Sequence, residues 1–121
     1  MSIQDEVDRL VDERPGRELL HPDYDAEAVP FCDFIYRSAG TSASYLLTTD
    51  AGRVIVNTGM GWEAPHHKSL FAAISSAPTS YIITTQGHVD HVGGVSLFRD
   101  PDTRYVAQAN NPACQADDAR L

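Results

Sequence analysis

The run Thr84-Thr85-Gln86-Gly87-His88-Val89-Asp90-His91-Val92-Gly93-Gly94 follows directly on the apolar triplet Tyr81-Ile82-Ile83. The apolar triplet is a strand signal, and a polar cluster closed by a double glycine is a turn signal. Val95–Arg99 then reads as a short helix. Strand, polar loop and helix in that order form one unit of a layered fold. The loop also places two imidazoles and a carboxylate within four positions. Side chains leaving a strand end can converge on one point. A cation such as Zn²⁺ takes His nitrogen at about 2.0–2.1 Å and carboxylate oxygen at about 2.0–2.2 Å. His88, Asp90 and His91 are therefore candidate metal ligands. The competing reading is a turn cluster in which Asp90 bonds local backbone.

The rest of the chain supplies further elements. Ile3, Val7, Leu10 and Val11 recur at helical spacing, with Ser2 as N-cap, Asp5 three positions on and Pro15-Gly16 as the stop. This predicts a short amphipathic helix lying on something, followed by an extended loop over 15–30. Phe31–Tyr36 is strand-like. Ser44–Thr49 and Arg53–Asn57 flank Asp50-Ala51-Gly52, a hairpin with glycine available for positive φ. Asn57-Thr58-Gly59-Met60-Gly61 is a glycine-bearing turn. Glu63–Ala77 suits a helix, with Leu70, Phe71, Ile74 and Ala77 on one stripe and Pro65 in its first turn. Tyr81–Thr85 and Arg104–Gln108 read as strands, and Pro112–Leu121 as a helix begun by Asn110-Asn111. Strands and helices alternate after residue 53, which predicts an α/β or mixed α+β architecture.

A chain of 121 residues fits one domain with a modest core. Nine basic residues against seventeen acidic ones give a net charge of −8. Nucleic-acid binders need basic clusters to neutralise phosphates, and this chain has none. Residues 1–20 are charged, and no run of 18 apolar residues occurs, which points to a cytoplasmic protein with no membrane partner. Cys32 and Cys114 lack metal-ligand spacing and read as two reduced, semi-buried thiols.

Gln86-Gly87-His88-Val89-Asp90-His91 resembles the His-x-His-x-Asp-His motif of the metallo-β-lactamase superfamily, with Gln86 at the first His. Ser44–Leu47, Asp50–Gly52 and Val54-Ile55-Val56-Asn57-Thr58-Gly59 resemble the hairpin preceding it, which usually ends in Asp-Thr-Gly. The resemblance covers roughly residues 31–110. It implies half of an αββα sandwich, a mixed sheet with helices on one face. Residues 31–121 would be the N-terminal half of that domain, and residues 1–30 an appended helix and loop. The family's later ligands come from a second half, whereas no His follows His91, and the final residues read as an interrupted helix.

Carried over position by position, the resemblance gives His88 to a first metal site, and Asp90 with His91 to a second. Gln86 offers only a neutral carbonyl oxygen, a weaker ligand than imidazole. The implied cofactor is Zn²⁺, one ion per site, with another divalent metal as the alternative. Asp90 would also accept or orient the proton of an attacking water. Asn57 stands where the family carries an Asp behind the ligands, a place that fixes a ligating ring and raises its basicity. As a plain turn residue it needs no such role. Met60 and Trp62 are candidate walls of a substrate pocket, or residues that simply pack their loop. His66-His67 reads first as solvated polar residues of a helix's first turn, and second as an accessory ligand pair. His21, beside Pro22, reads as surface loop.

Two functions follow. One is a zinc-dependent hydrolase acting on a small-molecule lactam, lactone, thioester, ester or sulfate ester. It would be completed by a C-terminal half or by a second copy in a homodimer. The other is a non-catalytic binding remnant of the same fold with a degraded metal site.

Overall fold

The computed structural model describes residues 1–14 and 24–120, so the expectations for Pro15-Gly16, His21 and most of the 15–30 loop lie outside the described residues. The elements in chain order are α1 (Ile3–Glu13), β1 (Val29–Cys32), β2 (Ile35–Ser38), β3 (Ser44–Thr49), β4 (Gly52–Val56), α2 (Ala64–Ile74), β5 (Thr79–Ile83), α3 (Val89–Val92), α4 (Val95–Phe98), β6 (Arg104–Val106) and α5 (Asn111–Asp118).

The six strands form one sheet in sequential order. β1 to β4 pair antiparallel, and β4, β5 and β6 pair parallel. Antiparallel neighbours need only tight turns, whereas each parallel step needs a crossover. α2 provides the first crossover, and the segment carrying α3 and α4 provides the second. The β3–β4 hairpin turns at Asp50-Ala51, and Gly52 takes a φ of 119°, a value side chains rarely allow.

One row of cross-strand neighbours, Tyr36–Leu46–Ile55–Ile82–Tyr105, faces the helices. Leu46, Ile55 and Ile82 are completely buried there with Ala64 and Phe71 of α2 and Phe98 of α4. Two further rows lie on the opposite face, Arg37–Tyr45–Val56–Ile83–Val106 and Ile35–Leu47–Val54–Tyr81–Arg104. Every residue in these rows keeps some exposure to solvent. The expected layering, a mixed sheet with helices on one face as in half of an αββα sandwich, is what the chain forms.

Several local expectations are corrected. The strand predicted over Phe31–Tyr36 is two strands joined by a turn at Asp33-Phe34. The apolar pattern runs on through that turn, so only Asp33 marked it. α1 has its expected capping box, with Ser2 Oγ accepting from the Asp5 N–H and the Asp5 carboxylate accepting from the Ser2 N–H. Its apolar side is not covered by the described residues, however, for Ile3, Val7, Leu10 and Val11 are all exposed. Cys32 and Cys114 are free thiols as expected, but exposed rather than semi-buried. α2 ends at Ile74 because Ser75 is already extended, so Ala77 never joins its stripe. Among the described residues, no helix is long and apolar enough to cross a membrane.

Candidate metal centre

β4 and β5 run parallel, so their carboxyl ends open on the same edge of the sheet. In open α/β sheets that edge is where ligands bind. The loop after β4 starts with Asn57, whose backbone N–H donates to the Ile83 carbonyl at 2.8 Å and extends the ladder by one residue. Asn57 then turns the chain with φ 56°, in the left-handed region that Asn tolerates better than most side chains. Thr58 ties this loop to the next one. Its N–H and hydroxyl both donate to the His91 carbonyl, at 2.9 and 2.8 Å, and its oxygen accepts from the Gly94 N–H at 2.9 Å. A side chain on Gly94 would strike Ala64 and Thr58, which is the physical reason for glycine there.

The loop after β5 carries the motif. Gln86 and His88 are exposed, and Asp90 and His91 are half-buried in the single turn of α3. The four side chains converge rather than dispersing into backbone bonds. His88 Nδ1 meets Gln86 Oε1, and Gln86 Nε2 lies 2.8 Å from His91 Nε2. His91 Nε2 is in turn 3.4 Å from Asp90 Oδ2. Two ligands on a tetrahedral ion at about 2.0–2.1 Å stand roughly 3.3–3.4 Å apart, so the Asp90–His91 pair has the spacing of one coordination edge. Among the described residues, no group of three or more His, Cys, Asp or Glu is assembled to hold a metal. The donors present fit part of a metal site, to which further ligands would have to be added.

Sequence reasoning missed Ser42. Its Oγ lies 3.4 Å from His91 Nδ1 and faces the ring nitrogen opposite the converging donors, where an orienting partner for a ligating imidazole belongs. Asn57, the sequence candidate for that place, makes its side-chain hydrogen bonds elsewhere. The Asn57 side chain holds Thr85 instead, with Oδ1 accepting from the Thr85 N–H and Nδ2 donating to Thr85 Oγ1, each at 3.0 Å. Asn57 thus positions the residue just before Gln86, and among the described residues its side chain makes no hydrogen bond to an imidazole. A serine 49 residues from its histidine leaves no local pattern to find.

His67 is not solvated, contrary to its first reading, and His66 is half-buried. His67 is completely buried, its Nδ1 lies 2.6 Å from Ser38 Oγ, and its Nε2 has no partner among the described residues. His66 packs edge-on against Tyr24. No hydrogen bond or ion pair joins either ring to the motif among the described residues. Beside them Glu63, itself buried, accepts from the Thr41 N–H at 2.7 Å, the Tyr24 hydroxyl at 3.1 Å and the Met60 N–H at 3.2 Å. Burial pushes the Glu63 carboxyl up, but these hydrogen bonds outweigh it and hold the group below its ordinary value. Burial holds His67 below the ordinary imidazole value, against the opposing pull of Glu63. Trp62 projects into solvent at 69% exposure, and Met60 is half-buried.

This sheet, with donors gathered at the ends of its parallel strands, has the architecture of a metallo-hydrolase half. The metallo-beta-lactamase superfamily model matches residues 37–101, more than half of the chain, and the chain belongs to that superfamily. Among solved structures, it is similar to the class B3 di-zinc metallo-beta-lactamase LRA-12 from an Alaskan soil metagenome. The identity is 27% and the TM-score 0.60, over 80% of this chain and 36% of that one. BJP-1, a subclass B3 metallo-beta-lactamase of Bradyrhizobium japonicum, matches at 23% identity and a TM-score of 0.64, over 73% of this chain and 35% of that one. The stereoselective inverting sec-alkylsulfatase Pisa1 from Pseudomonas sp. shares the fold at 18% identity and a TM-score of 0.58, over 66% and 14%. The chain therefore spans well under half the length of these enzymes. Curated proteins yield no significant match.

Proposed function

We infer that this chain contributes one half of a metal-dependent hydrolase centre for a small-molecule lactam, lactone, thioester, ester or sulfate ester. Convergence of His88 Nδ1, Asp90 Oδ2, His91 Nε2 and the Gln86 amide at the mouth of β4 and β5 carries this reading. His88, Asp90 and His91 would hold the ion, and the neutral Gln86 amide, a poorer donor than imidazole, lies against both rings. One Zn²⁺ per site fits this donor set, another divalent metal being the alternative. Such an ion supplies Lewis acidity, lowering the pKa of water to about 7. Asp90, half-exposed at the mouth, would accept or orient the proton of an attacking water. Ser42 would keep His91 turned inward, while Met60 and Trp62 flank the approach.

Ligands beyond His91 must come from a completing half or from a second copy, and the exposed apolar face of the sheet is where either would dock. Nucleic acid and membrane are not partners in this reading, and the setting is the cytoplasm.

Metal analysis tests the assignment. After exposure to Zn²⁺ and gel filtration, the protein retains about one equivalent, lost in His88→Ala and Asp90→Ala. Gln86 at the first motif position and Asn57 before Thr58-Gly59 favour a second reading, a non-catalytic remnant. Less than about 0.1 equivalent, with no change in stability on chelation, would decide for it.

A further inference from the structure

We propose that Gln86 is an internal clamp that occupies both motif histidines in the metal-free protein and must release His91 before a cation can bind there. The donor and acceptor roles follow from the amide itself. An amide nitrogen only donates, so the 2.8 Å contact from Gln86 Nε2 makes His91 Nε2 the acceptor and leaves the ring proton on Nδ1. That proton faces Ser42 Oγ, which can accept it. An amide oxygen only accepts, so its contact with His88 makes Nδ1 of that ring the donor. One side chain thus fixes two tautomers at once.

The two rings are held differently. His91 Nε2 keeps a lone pair pointing at the amide, and a cation gains it simply by displacing Gln86. His88 Nδ1 carries a proton, so a cation at that atom requires the proton to leave or move to Nε2. The Asp90–His91 edge would therefore be open to a cation once the amide moves, whereas His88 would first have to give up or relocate its Nδ1 proton. On this account Gln86 competes with the ion instead of ligating it. The inference deepens the metal reading above, but its first half concerns the metal-free chain alone.

Long-range ¹⁵N–¹H correlation spectra of the metal-free 121-residue chain read these tautomers directly above the pH range in which imidazole titrates. The clamp puts the proton on Nδ1 in both His88 and His91. Gln86→Leu keeps the bulk and removes both hydrogen bonds, and Gln86→Ala removes the bulk as well. Because Gln86 is exposed, neither change disturbs the core. In both variants His88 loses its single tautomer. Protons on Nε2 in the wild type, or identical spectra in all three proteins, would overturn the clamp.

Zn²⁺ titrated into the same three proteins supplies the second arm. Both variants bind about twofold to tenfold tighter, the effect of no longer breaking one neutral hydrogen bond. Weaker binding by the variants would show Gln86 to be a ligand and end the proposal. If none of the three binds Zn²⁺ while the tautomers are as stated, the clamp stands and the metal-centre reading falls.

Discussion

Asn57 carries two burdens at one position. It holds a left-handed backbone conformation at φ 56°, and its amide pins Thr85 by hydrogen bonds through both of its polar atoms. Two substitutions separate the burdens. Asn57→Gly relieves the backbone but loses the amide, at a cost of about 1–2 kcal/mol. Asn57→Ala loses the amide and also places a Cβ in the left-handed region, for a total of about 2–4 kcal/mol. Urea unfolding of the three proteins measures both. Equal stability for the alanine and glycine variants would show that the backbone conformation imposes no cost. The consequence for the site is positional, because Thr85 immediately precedes Gln86. Loosening it frees the residue that spans the two imidazoles, so Asn57→Gly should also blur the His88 tautomer.

At the level of the element, the start of α2 gathers charge that the fold must keep in one protonation state. Glu63 at the helix N-terminus is favoured ionised, and His67 one turn later is favoured neutral. The signs add. As pH falls below about 6.5, the unfolded chain protonates this histidine before the folded one does, so stability declines. As pH falls further through about 4.5, Glu63 must surrender the charge its hydrogen bonds favour, and stability declines again. Denaturant midpoints measured from pH 8 to about pH 3 should therefore drop in two stages. His67→Gln should remove the upper stage and leave the lower one. A midpoint independent of pH between about 7 and 5 would contradict the neutral assignment of His67.

The same network shows why sequence reading stopped where it did. Gln86, His88, Asp90 and His91 lie in one run of six residues just beyond the end of β5, so their convergence was local and legible. The hairpin at Asp50–Gly52 was legible for the same reason, and the Ser2–Asp5 box equally so. Glu63 finds Thr41 across 22 residues, His67 finds Ser38 across 29, and His91 finds Ser42 across 49. Those pairings are set by strand order, which no spacing pattern encodes. The turn at Asp33-Phe34 failed differently, since the apolar pattern continued through it and hid the break.

For the whole molecule, the decisive asymmetry is between the two faces of one sheet. Ile55 and Val56 are adjacent in sequence and chemically alike, yet the pleat sends them to opposite sides. Ile55 is fully buried under the helices, whereas Val56 stands half-exposed in the row with Tyr45, Ile83 and Val106. Truncating the first should hurt the monomer. Ile55→Ala opens a cavity against Leu46, Ile82 and Phe71 and should cost about 2–5 kcal/mol in urea unfolding. Val56→Asp adds a charge where solvent can still reach it, so the monomer should lose far less. Its effect should fall on association. Large exposed apolar patches mark interaction sites, so this face is the place to test for association. If a second copy covers it, the wild type sediments as a concentration-dependent dimer, and Val56→Asp sediments as a monomer of unchanged fold. Should wild type and variant both remain monomeric at high concentration, a second copy does not cover this face. Should Val56→Asp unfold the monomer as severely as Ile55→Ala, the face is not open, and the half-sandwich reading of this chain fails with it.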